Sequence, residues 1–345
     1  MEGETSLFIL GIDTSCDDTS VGIVRDGVGV LSSVVSSQED LHSRYGGVVP
    51  EIASRNHLAM MIPVLTEALR KAGLTLGEIA AVAVTQGPGL MGSLLVGVTF
   101  GKSLAAGLGI PIIAVNHLEA HVYSSFLDRG VPEFPLLCLV VSGGHSDLIL
   151  MEGHGKYLVL GITRDDAPGE VFDKVGRELG LDYPGGPHMD VVAEEGNARA
   201  FQFPIPKVSG GPFDMSFSGL KTRALLAIRS SGKTEETVRN LSASFREAVV
   251  EVLEMKLEEA LREFHPRTVA VTGGVSRNRL LRERVKQLGG KYGVPVLLPQ
   301  PQYCTDNGAM VASCGYFRLQ RGQVASYDIN AIADLELKSW EDDEP

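Results

Sequence analysis

The chain has 345 residues, 44% of them hydrophobic and 21% charged, a composition typical of a soluble globular enzyme with about two domains. Its formal net charge of −12 argues against a protein that grips nucleic acid by bulk electrostatics alone. The four cysteines form no C-x-x-C pair, which argues against a disulfide framework and indicates a reducing, cytoplasmic compartment.

The first elements predict an internal duplication. Residues 6–25 read as a strand, a polar turn and a second strand, and the same pattern returns in 136–153. Two such units, one near the start of each half, favour a fold built from two related lobes. Two unrelated hairpins remain the alternative at this point.

Short apolar runs then alternate with helical segments, which indicates the α/β class. An uncharged stretch at 79–101 is long enough to cross a bilayer, but its Gln86-Gly-Pro-Gly interruption predicts a strand, a turn and a buried helix instead. The predicted elements of the first half are a helix at 50–71, strands at 79–85 and 110–115, and a glycine-rich helix at 90–108.

The next segment, "NHLEAH", places His117 and His121 four residues apart. On a helix the two side chains share one face, whereas Glu119 lies about 200° round from His117. In the zinc-protease string H-E-x-x-H the glutamate directly follows the first histidine. Leu118 occupies that position here, so the spacing excludes the protease interpretation. A metal site and a pair of packed histidines both remain open.

A metal site needs a third ligand, and the best candidates are Asp306 and His145. Two imidazoles and one carboxylate with open positions suit Fe(II) or Zn(II). Asp306 precedes a helix expected to begin near Asn307. Earlier in the second half, the residue pattern predicts a long helix at 234–264, then a strand, a glycine turn and a helix at 268–285.

Three polar turns favour nucleotide binding. Ser142, Gly143 and Gly144 lie at one bend, where backbone N–H groups can approach a phosphate. Thr272–Asn278 is a second glycine turn, at the mouth of a helix. The third turn carries the carboxylates Asp13, Asp17 and Asp18. Two basic segments, 217–233 and 277–286, are either solvated helix faces or a local nucleic-acid footprint.

A series of motifs in order resembles the bacterial TsaD family of tRNA threonylcarbamoyladenosine transferases. The motifs cover nearly the whole chain: "GIDTSCDDTSVGIV", "GGVVPEIASRNH", "GPGLMGSLLVG", "NHLEAH", "VSGGHSDL", "GEVFDKVGRELGLDYPGGP", "FSGLKT", "TGGVSRN" and "CTDNGAMVA". The resemblance implies a duplicated two-lobe fold like that of actin, Hsp70 and sugar kinases, with a central nucleotide cleft. The lobes are expected at 1–130, with the histidine helix, and at 131–345, with a last helix that can return to the first lobe.

The resemblance also implies a reaction, in which the threonylcarbamoyl group of threonylcarbamoyl-AMP is transferred to N6 of adenine 37 in tRNAs that read ANN codons. His117, His121 and Asp306 would hold the metal, Fe(II) or in some members Zn(II). The adenylate, or ATP with Mg as an option, would be held by nine residues: Val140, Val141, Ser142, Gly143, Gly144, Asp173, Gly186, Asp190 and Asn278.

Two positions limit what the resemblance carries over to this chain. Relatives with tyrosine at the position of Val140 use it as a further ligand, which valine cannot provide. The first motif usually reads "DET", whereas this chain has Cys16-Asp17-Asp18-Thr19, so Asp18 presents the proposed proton-accepting carboxylate on a shorter arm.

The family's usual partners are a TsaB-like paralogue, a TsaE-like ATPase and a TsaC-like enzyme that makes the adenylate. The alternatives are a small-molecule kinase of the same fold, which gives the histidine pair no role, and a scaffold whose nucleotide site regulates assembly.

Overall fold

The computed structural model describes residues 6–206, 208 and 210–340, which form two compact units. The first unit contains the described parts of Met1–Pro132, His154–Lys156 and Pro299–Pro345. The second contains the described parts of Glu133–Gly153 and Tyr157–Leu298. The expected boundary lay at residue 130, with a last helix that can return to the first lobe; in the described residues, 299–340 and His154–Lys156 belong to the first unit.

Ten strands are present in the described residues. They are β1 (Phe8–Asp13), β2 (Thr19–Arg25), β3 (Gly29–Ser36), β4 (Ile79–Gly87), β5 (Ile112–Asn116), β6 (Leu136–Val141), β7 (Ser146–Gly153), β8 (Lys156–Ile162), β9 (Thr268–Thr272) and β10 (Val296–Leu297).

The helices include ten α-helices in the same residues. They are α1 (Glu39–Ser43), α2 (Pro50–Ala72), α3 (Met91–Leu108), α4 (His117–Tyr123), α5 (Pro168–Leu179), α6 (Gly185–Val192), α7 (Ser218–Ser231), α8 (Glu235–Phe264), α9 (Arg279–Tyr292) and α10 (Gly308–Gln320). Short 3-10 turns occur at Leu76–Glu78, Ser124–Phe126, Ala193–Glu195, Gly274–Arg277 and Pro301–Tyr303.

The strand orders confirm the predicted duplication. The first sheet has the order β3-β2-β1-β4-β5 and the second β8-β7-β6-β9-β10 when read in the matching direction. In both sheets the first hairpin is antiparallel, and the next strand joins its first member in parallel. The two strand–turn–strand patterns in the sequence are therefore equivalent hairpins of two related sheets.

Helix α3 is the described helix whose length and composition would allow it to cross a bilayer, with a mean hydropathy of 1.3 over Met91–Leu108. It packs against β4 and α2 through buried residues that include Leu94, Gly97 and Val98. A Cβ atom at Gly97 would lie 2.3 Å from Oγ1 of Thr14, so this glycine lets the helix approach the β1–β2 turn. These contacts bury one face of the helix, whereas the sequence predicted a helix that is buried as a whole.

Helix α10 explains why the end of the chain belongs to the first unit. It packs against β1, β2 and β4, with Ala309, Met310 and Val311 fully buried. Each sheet also has an apolar core; that of the second unit lies between its sheet and α5, α7, α8 and α9. The predicted caps hold locally, since Thr234 Oγ1 accepts a hydrogen bond from Thr237 N at the start of α8.

Candidate active site

The close approach of α10 to the first sheet positions Asp306. A Cβ atom at Gly11 would lie 2.1 Å from the carbonyl oxygen of Gly308, and one at Gly22 would lie 2.2 Å from Ala309 N. Only glycine permits this packing of backbone on backbone. Asn307 caps the helix by accepting from Met310 N at 2.9 Å. Asp306, directly before this cap, therefore lies beside the end of β1.

The two histidines follow directly from strand β5. Asn116, the last residue of β5, caps α4 by accepting hydrogen bonds from Leu118 N and Glu119 N. Both imidazole rings lie on one face of α4, with their centroids 4.7 Å apart. His117 is 5% exposed and His121 is fully buried. The predicted helix and its predicted histidine face are both present.

His117, His121 and Asp306 converge on one point. His117 Nε2 lies 3.5 Å and His121 Nε2 lies 3.2 Å from Asp306 Oδ1. One donor atom from each side chain lies within 4.8 Å of the others, so the group can hold a metal ion. Two donors at about 2.1 Å from one ion are separated by about 3.0 to 3.5 Å, which these distances match.

The donor set also fits a metal chemically. Neither ring nitrogen of His121 has a hydrogen-bond partner among the described residues, although the ring is buried. Such a group costs free energy unless a ligand satisfies it. Two imidazoles and one carboxylate suit Fe(II) or Zn(II). The residues present therefore fit the metal that the family resemblance implies.

Asp13 contacts His117 through Nδ1, the ring nitrogen that does not face Asp306, and so orients the ring. Its Oδ2 lies 3.3 Å from His117 Nδ1 and also accepts from Thr85 Oγ1 at 2.7 Å. Since an ionised carboxylate only accepts, Nδ1 carries the proton and Nε2 is left for coordination. Burial opposes the charged imidazolium, but the carboxylates of Asp306 and Asp13 outweigh it and raise the pKa of His117 to about 9 in the metal-free protein, so a metal that binds Nε2 would displace the proton there. Burial favours the neutral carboxyl of Asp13, but His117 holds the pKa of Asp13 below its usual value.

Asp18 lies in the same polar turn, between β1 and β2. Burial, together with the neighbouring carboxylates Asp306, Asp17 and Asp13, raises the pKa of Asp18 to about 7. A carboxylate with a pKa near neutrality is suited to accept and release a proton. His57 supports the turn from α2, with Nδ1 2.8 Å from Thr19 Oγ1 and Nε2 3.0 Å from the carbonyl oxygen of Cys16.

In the second unit, the glycine turn between β6 and β7 presents open backbone. Ser142 N donates to the carbonyl oxygen of His145 at 2.9 Å, which closes the turn. Gly143 and Gly144 are exposed, and a Cβ atom on either would contact nothing within 4 Å. The preceding residues Val140 and Val141 are fully buried in β6, so at this site only their backbone is available to a ligand.

The other predicted adenylate residues lie around the same end of the second sheet. Gly273, with φ +86°, follows β9, and a Cβ atom there would lie 2.2 Å from the carbonyl oxygen of Val141. At the start of α6, Gly186 N donates to Asp173 Oδ1 at 3.3 Å. The carboxyl ends of the parallel strands β6 and β9 thus carry these turns, as expected for a ligand-binding edge.

Asp190 and Asn278 form a hydrogen-bonded network of their own. Asp190 Oδ1 accepts from Arg246 Nη1 and Asn278 Nδ2, both at 2.9 Å, and Oδ2 accepts from Arg279 N at 3.1 Å. Asn278 Oδ1 in turn caps α9 by accepting from Leu281 N. Their side chains thereby fix the 273–278 turn against α6 and α8.

Comparison with known proteins places the chain in a family. A model of the family described as "TsaD: tRNA N6-adenosine threonylcarbamoyltransferase" matches residues 29–313. The chain belongs to the TsaD family. Curated relatives named tRNA N6-adenosine threonylcarbamoyltransferase agree. That of Desulfitobacterium hafniense (strain Y51) is 50% identical, covering 95% of this chain and 97% of the relative. That of Carboxydothermus hydrogenoformans is 51% identical with the same coverage.

A solved structure supports the fold of this TsaD chain. HypF of T. kodakarensis is 16% identical and matches with a TM-score of 0.63, covering 95% of this chain and 50% of that one. At this identity the likeness concerns the fold alone. It confirms the duplicated α/β fold of the actin, Hsp70 and sugar-kinase type that the motifs predicted.

Three residues of this TsaD chain escaped the sequence analysis or were given no role there. Asp13 was grouped only with the other carboxylates of its turn, although its position at the end of β1 was a usable signal. His57 lies in the quoted "SRNH" motif. Asp147, in "VSGGHSDL", is 7% exposed, and Oδ2 has no hydrogen-bond partner among the described residues. Burial raises the pKa of Asp147 to about 7.

In each of the two basic segments, some positive side chains are paired with carboxylates. On α7, Lys221 Nζ lies 2.5 Å from Asp166 Oδ2. On α9, Arg284 is paired with Glu247 and Glu254. Arg279, Arg282 and Lys286 share another face of α9, since they are spaced at i, i+3 and i+7. The nucleic-acid footprint stays a prediction, and this face of α9 is where the positive charges align.

Proposed function

We propose that this chain transfers the threonylcarbamoyl group of threonylcarbamoyl-AMP to N6 of adenine 37 in tRNAs that read ANN codons. Membership of the TsaD family supports the reaction class. The observation that carries the proposal is the convergence of His117, His121 and Asp306, from distant parts of the sequence, within 4.8 Å. A small-molecule kinase or a nucleotide-regulated scaffold gives this group no role.

The reaction needs no covalent nucleophile on the enzyme, because the acyl group is already activated as a mixed anhydride with AMP. The N6 amine attacks the carbamoyl carbon, a C–N bond forms, and the C–O bond to the phosphate breaks. AMP leaves with the electron pair of that bond. The chain must hold the adenylate and present its carbonyl carbon to the amine.

We assign His117, His121 and Asp306 to one divalent metal, Fe(II) with Zn(II) as the alternative. When bound, such an ion neutralises phosphate charge and polarises a carbonyl oxygen. Asp13 keeps the proton of His117 on Nδ1 and so directs Nε2 toward Asp306. Ser15 Oγ donates to Asp13 Oδ1 at 2.7 Å and so helps to hold the carboxylate that orients His117.

We assign the adenylate, or ATP with Mg as an option, to the ligand edge of the second sheet. The exposed residues Gly143 and Gly144 suit a phosphate, because neither has a Cβ atom that would block its approach to the backbone. Asp173 and Gly186 line the start of α6. Asp190 and Asn278 act mainly by fixing the neighbouring turn, since their side chains bind each other and Arg246.

Asp18 is the residue we assign to accept the proton that N6 releases. It is half-buried near the metal-ligating group, and its pKa of about 7 suits proton transfer at neutral pH. The shorter arm of aspartate, compared with glutamate, requires the amine to approach the β1–β2 turn closely.

The proposed partners are a TsaB-like paralogue, a TsaE-like ATPase and a TsaC-like enzyme that supplies the adenylate, and the proposed location is the cytoplasm, where tRNA is available. A chain with a net charge of −12 gains from partners that add positive surface for tRNA.

The test is transfer in a single turnover, with this chain, its partners, tRNA and threonylcarbamoyl-AMP. Digestion of the tRNA followed by mass analysis should reveal N6-threonylcarbamoyladenosine. His117→Ala should lower the rate by about 100-fold or more, since a Lewis acid contributes several kcal/mol to the transition state.

His265→Asn is the matched control. His265 is exposed, and its φ of 45° is a conformation that asparagine adopts readily. This variant should retain the parent rate. Unmodified tRNA with the parent protein would contradict the proposed reaction, whereas full activity of His117→Ala would contradict the role of the metal-ligating group in it.

A further inference from the structure

Glu119 lies on α4 between the two histidines and points into a buried ionic cluster. Its Oε2 accepts from Arg318 Nε at 3.0 Å and from Arg318 Nη2 at 2.9 Å. Its Oε1 accepts from Trp340 Nε1 at 2.5 Å. Glu119 is fully buried, and Arg318 and Trp340 are 8% and 5% exposed. Both carboxylate oxygens are thus occupied away from the histidine face.

The cluster joins the two elements that supply the candidate metal ligands. Glu119 is on α4, between His117 and His121, whereas Arg318 is on α10, about three helical turns after Asp306. Two N–H groups of the planar guanidinium donate to the same oxygen, Oε2 of Glu119, and together they fix both distance and orientation. A shift of α4 along α10 would break this contact and change the separation of the histidines from Asp306.

Trp340 anchors the cluster from the end of the described chain. Its backbone N donates to the carbonyl oxygen of Gly155 at 2.9 Å. Gly155 has φ +77°, and a Cβ atom there would lie 2.2 Å from the indole ring. The guanidinium of Arg318 lies 5.2 Å from the centre of the same ring, within cation–π range. The indole therefore fixes Glu119 and Arg318 at once.

A second contact between α4 and α10 has the same effect. The Tyr123 ring on α4 stacks on Phe317, next to Arg318, with centroids 5.4 Å apart. Tyr123 Oη lies 3.0 Å from His154 Nδ1, and the His154 ring stacks on Phe317 at 4.1 Å. The polar and aromatic contacts together hold α4 in one register on α10.

We propose that Glu119, Arg318 and Trp340 are positioning residues, which set the register of α4 on α10 and thereby the geometry of His117, His121 and Asp306. The inference rests on the metal site of the proposed function. It assigns a role to residues that contact neither the metal nor the substrate. The hydrogen bond from Trp340 makes the very end of the described chain part of the metal site's support.

The test measures metal binding without tRNA or adenylate. The metal-free protein is titrated with Co(II) and followed by its visible spectrum, which responds to ligand geometry, and the affinity for Zn(II) is measured by competition with a chromophoric chelator. Residues that orient metal ligands typically change metal affinity by about 10- to 100-fold. Trp340→Phe, which keeps an aromatic ring but loses the donor to Glu119, should weaken Zn(II) binding by about tenfold and alter the Co(II) spectrum.

Glu119→Gln should weaken binding more, because Arg318 loses its buried counter-charge, whereas Glu119→Asp should recover part of the loss. Tyr327→Phe is the matched control: it removes a hydrogen bond to the carbonyl oxygen of Ile110 in the same unit and should leave the affinity and spectrum unchanged. All titrations are performed below the lowest thermal midpoint, and Trp340→Phe decides the test where Glu119→Gln does not fold.

Parent-like affinity and spectrum in Trp340→Phe would overturn the positioning role alone, leaving the proposed reaction intact. A parent protein that binds neither Co(II) nor Zn(II) would overturn the metal site and the inference that rests on it. A parent protein that binds metal but does not modify tRNA would instead count against the proposed function.

Discussion

The turns β1–β2 and β6–β7 occupy equivalent places in two sheets of the same strand order, yet their chemistry is opposite. The first turn is partly buried and rich in carboxylates, with Asp18 at a raised pKa. The second exposes Gly143 and Gly144 without side chains. A carboxylate-rich turn suits cations and protons, whereas bare amides suit anions. The two units thus share one strand order, while the turns at corresponding places in it differ in side-chain chemistry.

Asp18→Asn is the change with the largest expected effect on this comparison. Loss of a general base typically lowers a rate by 10² to 10⁴. In the parent, the rate of single-turnover transfer should rise as the pH increases through about 7. A bound cation favours the ionised carboxylate and should therefore shift this rise to lower pH. The variant should lose both the rate and this dependence. Asp40→Asn, at an exposed carboxyl on α1 of the same unit, is the control. Transfer by Asp18→Asn at the rate of the parent and of this control would remove Asp18 from the mechanism.

Asp147 tests whether the second unit also contains a perturbed carboxyl group. Its folded-state pKa of about 7 exceeds the unfolded value of 3.8, so the native state binds more protons between these values. Its contribution to stability is therefore present below pH 4 and is lost as the pH rises to about 7. Relative to Asp147→Asn, the parent should lose up to roughly 4 kcal/mol over this range, at 1.36 kcal/mol per pKa unit.

Urea unfolding of both proteins at several pH values measures that difference. Parallel stability curves for the parent and Asp147→Asn would mean that Asp147 ionises normally in the folded protein. The carboxyl chemistry of the first turn would then have no counterpart in the second unit.

Gly144→Ala has the smallest expected effect. The fold should tolerate the methyl group, since a Cβ atom at Gly144 would contact nothing within 4 Å. The methyl group should still hinder a phosphate that approaches the turn and weaken adenylate binding by about fivefold to tenfold, about one hydrogen bond. Gly290→Ala, equally open, is the control for calorimetric titration. Equal affinities for the two variants would exclude the turn from phosphate binding.

Much of the fold and of the candidate site could be predicted from local sequence. Alternating strands around two polar turns predicted the duplication, and the i,i+4 spacing of His117 and His121 predicted a shared face. The partners of Glu119 could not be predicted in this way. Arg318 and Trp340 are separated from it by 199 and 221 residues, and helical periodicity gives only the direction in which Glu119 points.

The role of Asp13 escaped prediction for a related physical reason. Its distance from His117 depends on the pairing of β1, β4 and β5, which spacing along one strand does not contain. The packing of 299–340 with the first unit likewise depends on Gly11, Gly22 and Gly308, whose lack of a side chain matters only where the sheet and α10 come into contact.

The discontinuity of the first unit has a consequence for biosynthesis. Residues 6–132 emerge from the ribosome early, whereas Asp306 and α10 emerge only after the whole of 133–298. Domains tend to fold in order of synthesis, so the second unit can complete its core while the first still lacks a helix. We therefore expect nascent chains that stop before residue 299 to leave β1, β2 and β4 uncovered. Metal loading would then be one of the last events in the maturation of this protein.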